Sequence, residues 1–211
     1  MNLQDALSSG IQALGLDLPA GTPERLDAFA RLLIKWNKVY NLTAIRDEGQ
    51  VLTHHLLDSL SVLPALAGIK RLVDVGSGGG LPGVVLAIAR PDLQVDSVET
   101  VQKKASFQNQ ARIELKLPNF RAHHARIENW QPAYAPEAPD GIISRAFADL
   151  ADFVALTAHL AGPDTRILAM KGIYPADEIA RIPAGFALEQ SIELAVPGLD
   201  AERHLLIVKR T

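Results

Sequence analysis

The stretch Arg71 to Glu99, "RLVDVGSGGGLPGVVLAIARPDLQVDSVE", decides the fold. "RLVDVG" (71–76) is an apolar run of strand length that stops in a cluster of glycines, and "GVVLAIAR" (83–90) is apolar throughout, as a helix buried on every side would be. "LQVDSVE" (93–99) is a second strand ending in an acid. Strand, glycine turn, helix, strand predicts a parallel βαβ unit, because only a crossover helix can bring two short apolar runs side by side in the same direction.

The alternation continues downstream. "VQKKASFQNQARIELK" (101–116) and "DLADFVALTAHLA" (149–161) have helical spacing, whereas "NFRAHHA" (119–125), "DGIISRAF" (140–147) and "TRILAMKG" (165–172) are strand-like. The pattern predicts an α/β, Rossmann-like fold, a doubly wound and mostly parallel sheet of seven strands with ligand at their carboxyl ends. Only "PGLDAE" (197–202) separates the last two strands, "ALEQSIELAVP" and "RHLLIVKR", too short for a crossover, so the chain is expected to end in an antiparallel hairpin. Upstream, Thr22 followed by Pro23 reads as a helix cap, and Leu26, Phe29, Leu33, Trp36 and Tyr40 recur at helical spacing as a core stripe. A second helix is expected from Asp47 to Pro64. The division expected is a helical N-terminal extension over 1–68, packed on an α/β domain over 69–211.

Composition narrows the chemistry. The 211 residues are 48% hydrophobic but only 5% aromatic, and they include no cysteine. That removes disulfide frameworks, thiolate-bound zinc or iron–sulfur clusters and cysteine nucleophiles. The N-terminus lacks the basic start and apolar core of a signal peptide, and no run reaches the roughly 20 apolar residues of a membrane span. A cytoplasmic protein is expected. Net charge is −3, yet Lys103, Lys104, Arg112, Lys116, Arg121 and Arg126 face only Glu114 between Val101 and Arg126. Such a stretch is either a solvated helix face or a phosphate-facing patch.

The glycine loop selects among ligands. No Gly-Lys-Ser or Gly-Lys-Thr follows it, which excludes a P-loop, and a dinucleotide fingerprint set on Gly76 and Gly78 would need glycine where Leu81 stands. What remains is an acid and three alternate glycines: Asp74, Gly76, Gly78 and Gly80. S-adenosylmethionine fits this pattern. Its ammonium can donate to Asp74, its carboxylate can approach a backbone without side chains, and Glu99 is placed to accept from both ribose hydroxyls.

Six motifs then carry a resemblance. "WNKVYNLTAI" (36–45), "HHLLDSL" (54–60), "DVGSGGGLPG" (74–83), "ISRAFADL" (143–150), "MKG" (170–172) and "AERHLLIVK" (201–209) together resemble the bacterial ribosomal RNA small subunit methyltransferase G family, also called glucose-inhibited division protein B. The likeness spans nearly the whole chain, departing where Gly79 replaces a frequent proline. It implies a class I methyltransferase domain over 69–211, with cofactor contacts from Gly76, Leu81, Ile127, Glu128 and Arg145. It also implies a 16S rRNA guanine-N7 methyltransferase acting on the 530 loop of the decoding region.

The residues are compatible with that acceptor. C5 methylation of a pyrimidine needs a cysteine, and exocyclic amines commonly need Asn or Asp followed by Pro-Pro-aromatic, where this chain has "SRAF". Guanine N7 already presents a lone pair and loses no proton, so no general acid or base is expected. Arg126, Lys171 and Arg203 are the candidates for RNA phosphates, with His55 as a further RNA contact. A metal at His54, His55 and Asp58 is disfavoured, since adjacent histidines leave a helix on different faces. The expected partner is the small ribosomal subunit, met by a monomer without metal or membrane. A small-molecule N- or O-methyltransferase and a noncatalytic adenosine-ligand RNA-binding module are the alternatives.

Overall fold

The computed structural model describes residues 3–147 and 149–211. Seven strands form one sheet: β1 (Arg71–Val75), β2 (Gln94–Glu99), β3 (Phe120–His124), β4 (Gly141–Arg145), β5 (Arg166–Lys171), β6 (Phe186–Glu193) and β7 (His204–Arg210). Their order is β3-β2-β1-β4-β5-β7-β6. The first five are parallel, and β7 enters antiparallel between β5 and β6, which is the expected terminal hairpin. The chain reverses direction across the sheet between β1 and β4, so the carboxyl ends of those two strands open on a crevice.

Alternation along the strands sorts the core into two layers. Leu72, Ile143 and Leu168 face one cluster, with Phe29, Leu33, Leu57, Leu86 and Phe107. Val73, Ile142 and Ile167 face the other, with Phe153 and Val154. The first layer is supplied by α1 (Leu3–Ala13), α2 (Thr22–Tyr40), α5 (Gly83–Ala89) and α6 (Gln102–Glu114), the second by α7 (Leu150–Thr157). Every residue of α5 is buried, which explains its unbroken apolar sequence. The helices before residue 68 thus share the sheet's own core.

Three expectations in this region need correction. Gly21, at φ 80°, occupies the cap of α2, while the Thr22 hydroxyl donates to the Pro19 carbonyl at 2.6 Å. Glycine takes the left-handed turn at no steric cost, so threonine is displaced into the helix. Leu26, Phe29 and Leu33 are fully buried, but Trp36 is only half-buried and Tyr40 is 40% exposed, so the core stripe ends one turn early. Asp47 does begin a helical stretch, its Oδ1 accepting from the Gln50 N–H at 2.9 Å. That stretch is not one α-helix. It passes through α3 (Glu48–Val51), a π-helical segment (Leu52–Leu57), α4 (Asp58–Leu60) and a 3-10 turn (Leu63–Leu66) that holds Pro64. A short final helix, α8 (Ala176–Ile179), follows β5. No helix among the described residues is long and apolar enough to cross a membrane.

Candidate cofactor and substrate site

The glycine loop leaves β1 with Gly76, Gly78 and Gly80 at φ 68°, 55° and 81°, all in the left-handed region. Their reasons differ. A Cβ on Gly76 would meet nothing within 4 Å, and one on Gly78 would meet only the Lys104 ammonium at 4.0 Å, so both present bare backbone to open space. A Cβ on Gly80 would strike Val84 at 2.6 Å. Gly80 therefore serves helix packing, where sequence reasoning had placed it against the ligand.

Two carboxylates anchor the loop. Asp74 is completely buried; its Oδ2 accepts from the Gly83 N–H at 2.8 Å, whereas its Oδ1 is a buried acceptor without a donor. Burial pushes its carboxyl up to about 7, only partly offset by the Gly83 hydrogen bond and the charge of Arg145. Glu99, at the end of β2, accepts from the Gly78 N–H and from the Val101 N–H, both at 2.8 Å. It braces the loop while keeping spare lone pairs on each oxygen.

Beneath the loop lies a network that sequence reasoning missed. Fully buried Gln108 donates to Ser77 Oγ and to the Gly78 carbonyl, both at 2.8 Å, and accepts from Ser97 Oγ at 2.7 Å. The Ser77 and Ser97 hydroxyls close the ring. A glutamine on the apolar face of α6 was the available signal, since a buried amide must be hydrogen-bonded. A ligand carrying an ammonium beside a carboxylate fits this cradle. Asp74 Oδ1 supplies the unmatched acceptor, and Gly76 supplies the close backbone approach.

Across the crevice, beyond β4 and β5, is a cleft of about 700 Å³ lined by His54, His55, Asp58, Arg145, Lys171 and Arg203 among others. Its cations are paired. Asp58 Oδ2 accepts from Arg145 at 3.1 Å and Asp58 Oδ1 from Arg203 at 3.0 Å, so one buried carboxylate holds two guanidinium groups. Arg145 also donates to the His54 carbonyl at 2.8 Å. Lys171 donates to Glu178 at 2.7 Å and to the Phe147 carbonyl at 3.2 Å. The π-helical segment is what turns His54 and His55 toward Arg145; such segments recur at functional sites. His55 is buried, and burial together with the charge of Arg145 pushes it down to about 4, so it is neutral near pH 7. Its Nε2 lies 2.8 Å from Thr43 Oγ1, while its Nδ1 lies 3.0 Å from the His54 carbonyl and 3.3 Å from Arg145. Either tautomer engages both nitrogens. Beyond β4, Ala146 has φ 60°, a strained position for alanine, placed where the chain turns into the cleft.

The remaining candidates do not line that cleft. Leu81 is buried and belongs to the core, and its N–H donates to the Ser77 carbonyl at 2.9 Å, so neither group faces the crevice freely. Ile127 is likewise buried in the second core layer. Glu128 and Arg126, expected on cofactor and RNA respectively, pair with each other at 2.8 Å on the surface. Arg126 follows β3, at the far edge of the sheet, and does not line the cleft with Lys171 and Arg203.

Comparison with known proteins agrees with this geometry. The profile of the rRNA small subunit methyltransferase G family matches residues 22–206. Proteins named ribosomal RNA small subunit methyltransferase G are 61% identical in Azoarcus sp., covering 97% of this chain and 95% of the relative, and 49% identical in Pseudomonas syringae, covering 97% and 95%. The relative in Aromatoleum aromaticum is 62% identical, covering 97% of each chain. Among solved structures, a SAM-dependent methyltransferase from Aquifex aeolicus superposes with a TM-score of 0.59 at 14% identity, over 85% of this chain and 98% of that one. The mitomycin 7-O-methyltransferase MmcR gives 0.62 at 15% identity, over 98% and 67%. At such identity the likeness is one of fold.

Proposed function

Because this chain belongs to the rRNA small subunit methyltransferase G family, we propose that it binds S-adenosylmethionine in the glycine cradle and methylates N7 of a guanine in the 530 loop of 16S rRNA. The observation that carries the reading is the pairing of a cradle suited to that cofactor with a cleft whose two carboxylates, Asp58 and Glu178, are both committed to cations. Guanine N7 demands no general base, since its lone pair attacks directly and the ring proton inventory is unchanged.

When bound, the cofactor supplies an electrophilic methyl group on a sulfonium. The chain's own residues hold and orient. Asp74 would accept from the ammonium, which favours its charged form, and Glu99 would accept from the ribose hydroxyls with lone pairs that the loop leaves unused. Gln108, Ser77 and Ser97 keep the loop rigid, so that the backbone at Gly76 and Gly78 is preorganised rather than ordered at a cost on binding. Arg145 lies beside both regions: its charge reaches Asp74, while its guanidinium is docked on Asp58 and the π-helical segment. Arg203 and Lys171 would meet RNA phosphates by exchanging a carboxylate partner for a phosphate, and Arg126 would act on the opposite rim. The extension over residues 1–68 contributes His55 and Asp58 to the cleft and so belongs to the substrate side of the methyltransferase domain. The setting proposed is the cytoplasm, with the small ribosomal subunit as substrate and one chain acting alone.

The test is chemical. N7-methylguanine carries a charge that weakens its glycosidic bond, so borohydride followed by aniline cleaves the RNA there. Ribosomal RNA from cells lacking this protein should resist cleavage at one guanine of the 530 loop, and purified protein with S-adenosylmethionine should restore it. A methyl group found on an amine, a ribose hydroxyl or a small molecule would overturn the assignment.

A further inference from the structure

Two of the exposed large hydrophobic side chains, Tyr40 and Val101, meet at one place outside the cleft, apart from Ile113 and Tyr174. Where α2 ends beside the start of α6, Tyr40 is 40% and Val101 38% exposed, and Val39, adjoining them on α2, is 70% exposed. Tyr40 and Val101 border, with Trp36 and Lys103, a groove of about 490 Å³. Apolar surface gathered in one patch and rimmed by charge marks a contact site more often than it marks chance. The aromatic floor is rigid. Trp36 packs on Tyr40 with ring centroids 5.1 Å apart and on fully buried Phe107 at 5.5 Å, so its position is set by the core.

We propose that this groove seats one unpaired nucleobase of the substrate RNA, stacked on Tyr40 and flanked by Val101, while Lys103 meets the adjoining phosphate. The proposal rests on the reading of this chain as an rRNA methyltransferase and adds a second point of contact to it. Charge complementarity favours RNA over a protein partner: the cation Lys103 lines the groove beside its aromatic side chains, with the polar Gln102 and Ser106 and no acid among its lining residues. A base has an apolar face and an anionic backbone, and single-stranded RNA is held by aromatic faces next to cations. The groove lies next to Glu99, through the Val101 N–H that Glu99 accepts. A base stacked there would anchor the strand near the cofactor cradle while the target guanine enters the cleft. Such an anchor suits an enzyme that must unstack its target, since contacts to a neighbouring nucleotide offset part of that cost.

Trp36 and Trp130 are the only tryptophans, and Trp130 is buried in the other core layer, so Trp130→Phe leaves Trp36 as a single reporter. Titration of that variant with a single-stranded oligoribonucleotide of about eight nucleotides should quench its fluorescence. Tyr40→Ala should raise the dissociation constant about 5- to 100-fold, Tyr40→Phe should restore it, and Lys103→Ala should lower the salt slope by about 0.7. S-adenosylhomocysteine affinity should be unchanged in all three. Quenching by S-adenosylhomocysteine with loss of its affinity in Tyr40→Ala would assign the groove to the cofactor's adenosine end and overturn the proposal. Weakened binding to whole subunits with no effect on the oligoribonucleotide would assign it to a protein, with the same consequence. The position of the methyl group is read separately by cleavage of RNA treated with wild-type protein, so a wrong acceptor and a wrong groove give different failures.

Discussion

The two halves of the crevice are built on opposite principles. The glycine cradle is held by hydrogen bonds, among Gln108, Ser77 and Ser97 and from backbone N–H groups to Glu99 and Asp74, and it retains an acceptor on Asp74 that no described residue satisfies. The cleft is held by ion pairs, with Arg145 and Arg203 sharing Asp58 and Lys171 paired with Glu178. A small ligand of fixed shape rewards a rigid receptor. A polyanion whose affinity comes from many phosphates rewards cations that can change partners, and the internal carboxylates keep those cations in place until it arrives.

The largest expected effect breaks the cleft alone. Asp58→Ala leaves two partly buried guanidinium groups without their carboxylate, which should cost about 3 kcal/mol and lower Tm by about 6–12 °C in a thermal melt. Asp58→Asn, whose single amide oxygen can accept from only one of the two guanidinium groups, should lose less. An unchanged melting temperature in Asp58→Ala would show that the ion pairs do not hold the cleft.

A smaller effect, opposite in sign, belongs to the cradle. The Asp74 carboxyl stands at about 7, above its unfolded value, so the folded protein binds an extra proton between the two, and the stability it contributes falls as pH rises through that window. Asp74→Asn should therefore raise the melting temperature of the cofactor-free protein at pH 8 by about 3 °C or more while weakening cofactor binding. In the wild type the same proton must leave before the carboxylate can meet the ammonium. Cofactor affinity measured by calorimetry should accordingly fall about tenfold from pH 8 to pH 6, and Asp74→Asn should abolish that dependence. A pH-independent wild-type affinity would remove Asp74 from the cofactor's contacts.

The smallest effect is at the rim. Arg126 is paired only with exposed Glu128, so Arg126→Ala should leave the melting temperature unchanged. If Arg126 meets phosphate, the salt slope for subunit binding should drop by about 0.7–0.9; an unaltered slope would make it a solvated surface residue.

What the sequence made legible follows from the range of each interaction. Strands and helices from Arg71 onward were readable because their periodicity is local, and the three alternate glycines were readable because they are neighbours in the chain. The last hairpin was readable from the shortness of "PGLDAE". The Asp58 pairings were not, because Arg145 and Arg203 lie 87 and 145 residues away and nothing near "HHLLDSL" indicates which cations will arrive. The π-helical segment escaped for a related reason: its partner Arg145 lies 91 residues from His54, while the sequence itself suits an ordinary helix. Leu81 and Ile127 are buried in the two core layers, and apolar residues flanking a ligand loop suit the core and a cofactor's apolar face alike.

The division between cradle and cleft is tested most directly by a crossed measurement on Gly76→Ala and Arg203→Ala. Cofactor dissociation constants and the salt dependence of the apparent KM for small ribosomal subunits would be measured for both. Gly76→Ala, whose new methyl group meets no described protein atom but strains the left-handed backbone at φ 68°, should weaken the cofactor at least about tenfold and leave the salt slope intact. Arg203→Ala should leave cofactor affinity within about twofold and flatten the salt slope by about 0.7–0.9. Equal loss of cofactor affinity in both variants, with neither slope altered, would contradict the account.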